Sequence, residues 1–299
     1  MRKDDKQTHN YDRANVNIFG VNLISTPNEQ VLKQVIEKIE ENKQFLLFTP
    51  NPEILLKALK NKKLQDAINQ ADIKVADGVG IKIANYYLNQ TIGNIRFKNQ
   101  LFNEFGLYVK SLIKVFTSDK NNEPFPVIKG RELFIDLVTL ANKNGWKIFL
   151  LGGTGGISKQ VEEKLKAKYK SLKVKSGAGP MLDESGKPLT NIDKDIEKKV
   201  IEQINEFQPD ITFVAFGAPK QELWSSRHLP KLMTKGIMVV GGTFDYISEK
   251  EKLPPNWMGE RGLEWLWRLI TQPRRIGRIF RAVVVFPIQL IWDKYQGKQ

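Results

Sequence analysis

The sequence predicts an α/β fold, a mostly parallel sheet covered by helices on both faces. Three observations lead there. Short apolar runs such as Phe45-Leu46-Leu47-Phe48 carry no polar alternation, as expected of strands buried on both faces. Between such runs, apolar residues recur at helical spacing, for example Val31, Val35, Ile36 and Ile39. The two patterns alternate along most of the chain, which is the signature of parallel strands joined by crossover helices.

Taken in order, residues 1–15 are polar and read as a flexible tail. Residues 16–21 form a first strand, followed by a short extended piece at Leu23-Ile24. Thr26 or Asn28 caps a helix that runs to Glu41. After the strand at 45–48, Asn51 is a natural N-cap and Pro52 suits the first helical turn, where a missing N–H costs nothing. The next strand is 73–76, and Asp77-Gly78-Val79-Gly80 leads into a helix reaching Leu88. Residues 89–127 are the least regular part and read as an insertion. There Leu101, Phe102, Phe105, Leu112, Ile113 and Phe116 fall at roughly helical intervals, with Lys110 and Lys114 between them. This is either a helical hairpin packed on the core or a basic, aromatic surface lying against a membrane; 118–126 is a polar loop. Alternation then resumes with helices at 131–144, 158–169 and 193–207 and strands at 147–151, 172–175, 211–216 and 237–240. The core spans 16–250, and 251–299 is a helical appendage rich in arginine and tryptophan.

Composition excludes several classes of chemistry. The chain of 299 residues is 41% hydrophobic, which argues against disorder, and no apolar run approaches the ~20 residues that span a bilayer. The first ten residues lack the apolar core of a signal peptide. With no cysteine there is no disulfide, thiolate nucleophile or Cys-bound zinc. The two histidines, His9 and His228, are far apart, which argues against a His-based metal site or a Ser-His-Asp triad. A net charge of +14 favours polyanionic partners: nucleic acid, anionic lipid or phosphorylated substrates. From Lys252 to Gln299 nine basic residues face three acidic ones, so the surplus is concentrated in the tail.

The candidate site lies where the strands end. Thr49 and Asp77 both sit just past the carboxyl ends of strands expected to be parallel, the edge where open α/β sheets bind ligands. Gly152-Gly153-Thr154-Gly155-Gly156 follows a strand and precedes a helix, so its N–H groups could face a phosphate or simply turn the chain. Ser158 at the third glycine position, and the lack of an acid after the next strand, argue against a dinucleotide cofactor. Asp193-Lys194-Asp195 looks like a metal-holding pair, but it opens a charged helix and reads as a cap. No metal and no cofactor is expected. Phe216-Gly217-Ala218-Pro219-Lys220-Gln221-Glu222 brings a cation, an amide and free N–H donors to a helix start, an arrangement suited to a diphosphate. Gly241-Gly242-Thr243-Phe244-Asp245 closes the next strand, where Gly242 allows close approach and Asp245 can accept from a base or sugar.

In the tail, Leu263, Leu266, Trp267 and Ile270 share one face, and Glu264 can pair with Arg268. Arg274, Arg275, Arg278 and Arg281 follow at intervals that put most of them on one side of a helix, ahead of an apolar run interrupted by Pro287. The run is too short to span a bilayer but suits one lying in the interface, with arginines towards lipid phosphates. The alternatives are a helix docked on the core with its arginines in solvent, or a nucleic-acid surface lacking any recognised reader motif.

Six motifs occur in order: Thr49-Pro50-Asn51-Pro52-Glu53, Ala76-Asp77-Gly78-Val79-Gly80, Phe149-Leu150-Leu151-Gly152-Gly153, Gly217-Ala218-Pro219-Lys220-Gln221-Glu222, Gly241-Gly242-Thr243-Phe244-Asp245 and Gly262-Leu263-Glu264-Trp265-Leu266-Trp267-Arg268-Leu269. Together they resemble the WecG/TagA/CpsF family of bacterial glycosyltransferases, over about 16–280 without 89–127. The resemblance implies a Rossmann-like core with a C-terminal membrane-targeting appendage. It implies inverting, metal-independent transfer of N-acetylmannosamine (or its uronic acid) from UDP to undecaprenyl-diphosphate-linked N-acetylglucosamine, for teichoic acid linkage units or related polysaccharides. By position, Asp77 matches the general base, Thr49 and Asn51 the polar pair of the sugar pocket, Gln221 the donor amide, and Asp245 the acid near the nucleotide. Gly78, Gly152, Gly153, Lys220, Glu222 and Gly242 fall in the donor motifs. Lys252, Arg261, Arg268, Arg274, Arg275 and Arg278 are the cations available to the acceptor diphosphate and lipid phosphates. Val127 stands where the family carries an arginine, with Lys129 and Arg131 as the nearest cations, and Lys252 replaces another arginine. The implied location is cytoplasmic, peripheral on the inner face of the membrane, with self-association an open option. A non-catalytic lipid-surface scaffold of the same fold is the rival reading.

Overall fold

Phe45 and Leu47 enter one apolar layer while Leu46 and Phe48 enter the other, and this two-sided burial organises the molecule. The computed structural model describes residues 15–90, 100–117 and 125–297. Most of the expected N-terminal tail (1–14) and of the polar loop (118–124) lies outside the described residues.

The strand β3 (Phe45–Phe48) pairs in parallel with β4 (Ile73–Lys74) on one side and with β8 (Gly236–Val239) on the other. Beyond β8 come β7 (Ile211–Ala215), β5 (Lys147–Gly152) and β6 (Lys173–Gly177), giving one six-stranded sheet of order β4-β3-β8-β7-β5-β6, all parallel. One face is covered by α1 (Asn28–Glu40), α6 (Gly130–Asn144), α7 (Ile157–Lys168) and the short α10 (Thr243–Ile247). The other is covered by α2 (Pro52–Lys60), α3 (Lys62–Gln70), α8 (Asn191–Phe207) and α9 (Lys220–His228). The α/β architecture expected from alternation is therefore present.

Several local expectations are corrected. Residues 16–21 do not form one strand: β1 (Asn15–Ile18) and β2 (Val21–Ile24) make an antiparallel hairpin apart from the main sheet. Phe19 and Gly20 both have positive φ (55° and 75°), which reverses the chain in two residues. α1 begins without a side-chain cap; Asn28 Nδ2 donates instead to Asp136 Oδ2 at 2.7 Å. Asn51 does cap α2, its Oδ1 accepting from Ile54 N at 3.0 Å. Asp193 belongs to a capping box with Thr190, as the capping reading holds.

In place of a helical hairpin, the described part of the insertion is one helix, α5 (Gln100–Thr117), packed on α4 (Val79–Leu88). The tail is neither a single helix nor detached. It runs through α11 (Asn256–Glu260), α12 (Glu264–Thr271), α13 (Ile276–Phe280) and α14 (Phe286–Tyr295), with Arg274 and Arg275 in a tight turn before α13. Pro287 lies in the first turn of α14, directly after a π-helical turn at Arg281–Val285 that joins α13 to α14, so the helical path widens there rather than breaking. Phe286, Leu290 and Ile291 join the apolar layer that holds α2 and α4. No helix of the described residues is long and apolar enough to cross a membrane.

Gly236 opens β8 with its Cα against the Phe45 ring: a Cβ there would stand 2.1 Å from Cζ. Gly236→Ala should therefore lower stability by about 1–3 kcal/mol, the cost of overpacking. In urea titrations Gly236→Ala combined with Phe45→Leu should lose less than the sum of the single losses; strict additivity would contradict this contact.

Candidate active site

Connections leave β5 towards β6 and leave β7 towards β8 in opposite directions, and a cavity of about 300 Å³ opens at the carboxyl edge there. Its first wall comes from β3 and β4. The N–H of Asp77 donates to Pro50 O at 3.0 Å and that of Val75 to Phe48 O at 2.9 Å, so the two strand ends are locked side by side. Ile128 N then donates to Ala76 O at 3.0 Å, which brings the start of α6 against them. A Cβ on Gly130 would meet Thr49 Oγ1 at 3.0 Å, and the Gly130 N–H lies near enough to the Asp77 carboxylate to favour its charged form. Thr49, Asp77 and Gly130 are thus one cluster, with Asn51 beside them on the cavity wall.

Asp77 keeps partial exposure at the cavity while protein surrounds its carboxyl, and that desolvation pushes its pKa up to about 7. Arg268 and Arg131 pull it down, and Glu264 pushes it up.

The opposite wall is built from the loops after β7 and β8. Gln221 Oε1 accepts from the N–H groups of both Gly217 and Gly241, each at 3.1 Å, and so ties the two loops together. Its Nε2 donates to Glu222 Oε1 at 2.9 Å. Burial pushes the Glu222 pKa to about 7 as well, and its Oε2 has no partner.

Arginines close the third side. Glu264 accepts from Arg131 Nη1 at 2.7 Å and from Arg268 Nη2 at 3.3 Å. Burial pushes the Glu264 carboxyl up, but these two guanidiniums hold it below the ordinary range. Both guanidiniums also lie over the Tyr246 ring, 5.3 and 5.5 Å from its centre. Arg278 Nε reaches both oxygens of the buried Glu53 at 3.0 and 2.8 Å, and Arg275 stands 3.5 Å from Asp245. With Lys129, five cationic side chains line a cavity that has three acidic ones, Asp77, Asp245 and Glu264, so an anionic ligand suits it.

Of the expected residues, Thr49, Asn51, Asp77, Gly153, Gln221, Gly242, Asp245, Arg268, Arg275 and Arg278 line this cavity. Gly78, Gly152, Lys220 and Glu222 do not. Lys220 Nζ donates to Leu182 O at 2.7 Å, and Glu222 is buried behind Gln221. Lys252, Arg261 and Arg274 are exposed outside it. Val127 packs on the core, while both Lys129 and Arg131 reach the cavity. Glu53 as an arginine anchor and Tyr246 as a cation platform were missed: Arg278 lies 225 residues beyond Glu53, so no local spacing signals the pair. Among the described residues no group of three or more His, Asp or Glu could hold a metal ion.

The chain matches the profile of the family described as "Glycosyl transferase WecG/TagA/CpsF family" over residues 16–105 and 106–299. It is 26% identical over 293 residues to an N-acetylglucosaminyldiphosphoundecaprenol N-acetyl-beta-D-mannosaminyltransferase of Staphylococcus aureus (strain MRSA252), covering 96% of each chain. The same figures hold for the protein of that name from Staphylococcus aureus strain NCTC 8325 / PS 47. With the carboxylate cluster and arginine wall at the sheet's edge, this match means that the chain belongs to the WecG/TagA/CpsF family and is a UDP-sugar-dependent hexosyltransferase.

Proposed function

We propose that the chain transfers N-acetylmannosamine, or its uronic acid, from UDP to undecaprenyl-diphosphate-linked N-acetylglucosamine, with inversion and without a metal. The product would be a disaccharide-lipid precursor of teichoic acid or a related surface polysaccharide, made on the cytoplasmic face of the membrane. The relatives' name supplies the sugars. The observation that carries the chemistry is the Asp77 carboxyl, with its pKa near 7, facing a wall of arginines.

In this reading Asp77 accepts the proton of the acceptor hydroxyl as its oxygen attacks the sugar carbon that leaves UDP. A carboxylate of ordinary pKa would be a weak base at neutral pH; one raised to about 7 is matched to the task. Thr49 and Asn51 orient the sugar. The leaving diphosphate gathers charge, and preformed donors stabilise it without reorganisation: Arg268, Arg275 and the N–H groups around Gly217 and Gly242. Gln221 keeps those two loops at a fixed spacing.

Incubation with a panel of UDP-sugars and lipid-linked N-acetylglucosamine, read by mass spectrometry, tests the sugars. A product heavier by one N-acetylhexosamine supports the reading; hydrolysis of UDP-sugar alone, or no product, rejects it. For Asp77→Asn, turnover should fall by about 10²-fold or more with UDP binding retained. The variant should also be more stable at pH 8. A carboxyl whose folded pKa lies above its unfolded value holds its proton better when folded, so its contribution declines as pH rises from about 4 to 7. The gain in Tm should shrink as pH falls towards 4. The wild-type kcat/KM should rise through an apparent pKa near 7; a profile flat between pH 6 and 8 would remove Asp77 from the base role.

A further inference from the structure

α5 is turned inside out. Its core-facing stripe is Glu104, Tyr108, Ser111 and Val115, all buried and mostly polar. Its outward stripe carries Phe102, Phe105, Val109, Leu112, Ile113 and Phe116, which are 37% to 66% exposed. An amphipathic helix on a globular protein does the reverse.

The rotation is held in place. Tyr87 Oη donates to Glu104 Oε2 at 2.8 Å, and Lys294 Nζ lies 3.7 Å from the same carboxylate. Lys294 also donates to the carbonyls of Tyr87 and Gln90 at 2.9 and 3.1 Å, so α4, α5 and α14 meet at one polar knot. Half a turn of α5 would hide its phenylalanines, but it would strip Glu104 of both partners.

α14 packs directly against α5 and adds Ile288, Trp292 and Tyr295, all exposed. Lys110 and Lys114 border the stripe on α5, and Arg281 precedes α14. The one acid of α5 is Glu104, and the one acid between Arg274 and Gly297 is Asp293; both are buried. These two helices therefore present apolar and cationic groups and, among the described residues, no exposed carboxylate. A second copy of such a face would be repelled by like charge, whereas an anionic lipid surface meets both its features. An 18-residue helix is about 27 Å long, and none here is apolar enough to cross a bilayer, so this one would lie in the interface plane.

We propose that the outward face of α5, with α14, docks into an anionic bilayer, its phenylalanines entering the headgroup–acyl boundary. The contact is separate from the cavity arginines and deepens the lipid-acceptor reading, on which its biological purpose rests. Flotation of the full chain with vesicles of phosphatidylglycerol and phosphatidylcholine, or of phosphatidylcholine alone, tests it. Wild type should float with the anionic vesicles and far less with the neutral ones. Phe105→Ser with Ile113→Ser should lower the anionic partition coefficient about tenfold or more. Its thermal midpoint and its turnover of a water-soluble, short-chain acceptor should stay unchanged. The single Phe102→Ser, at the most exposed position, should show a smaller loss and serves if the double variant fails to fold. Flotation of the variants at the wild-type level overturns the proposal. So does a variant that floats normally but sediments as a smaller species than wild type, which would make the face a contact between copies. Failure of the transferase reading would show separately, as absent turnover on the soluble acceptor with flotation intact.

Discussion

The ion pair between Arg131 and Glu264 spans 133 positions of sequence and joins two walls of the cavity. Both side chains are largely buried, so removing Glu264 leaves two guanidiniums without their shared carboxylate, a loss on the order of 3–5 kcal/mol, whereas removing Arg131 leaves Glu264 still paired with Arg268. The pair does more than hold. It draws α12 over the carboxyl edge of the sheet, bringing Arg268 with it, and the two guanidiniums share Tyr246 as a platform. Without Glu264 the two guanidiniums near Asp77 would repel one another. With it they are spaced, and Asp77 feels opposing fields whose resultant is smaller than the desolvation of its carboxyl.

That balance sets stability against function. Asp77 and Glu222 are both raised to about 7, so near neutral pH the fold carries carboxyls whose ionisation it opposes. For Glu222 the protonated state is useful structurally, since a neutral acid tolerates burial behind Gln221. For Asp77 the same penalty gives the raised carboxyl that is proposed above as the base. One physical effect, burial, serves two ends because Asp77 stands on the cavity wall and Glu222 behind it.

The strand-and-helix core was legible because its signals are local. Four apolar residues in a row gave β3, and Asn51-Pro52 gave the start of α2. Thr49 and Asp77 followed, since the ends of parallel strands converge by topology alone. What escaped depends on distant partners. Lys220 has the composition of a phosphate ligand, yet Leu182 O, 38 residues earlier, claims it. Glu53 reads as a first-turn acid that offsets a helix dipole, and its role as the seat of Arg278 needs the folded tail. The hairpin at Phe19-Gly20 was missed because a phenylalanine at positive φ is a poor turn signal. In α5 periodicity gave the helix but left its apolar face open to two readings, packed on the core or lying against a membrane. Only the knot of Tyr87, Glu104 and Lys294 fixes which side faces the core.

The tail docks on the core through a few inward residues, and the lipid-facing reading, which stays a proposal, would use other side chains. Phe286, Leu290 and Ile291 pack inward, and Arg278 is pinned by Glu53, so the tail has a defined seat. Glu53 in turn stands 3.5 Å from Lys57, whose ammonium donates to Ala218 O on the cavity wall at 2.7 Å. A continuous chain of contacts therefore runs from α13 through α2 to the loop that faces the ligand. Any shift of a tail seated this way would be felt at that loop, which links the surface carrying the arginines to the crevice carrying Asp77. For the lipid-linked acceptor proposed above that coupling would matter, because the height of its hydroxyl would be set by the lipid rather than by the protein.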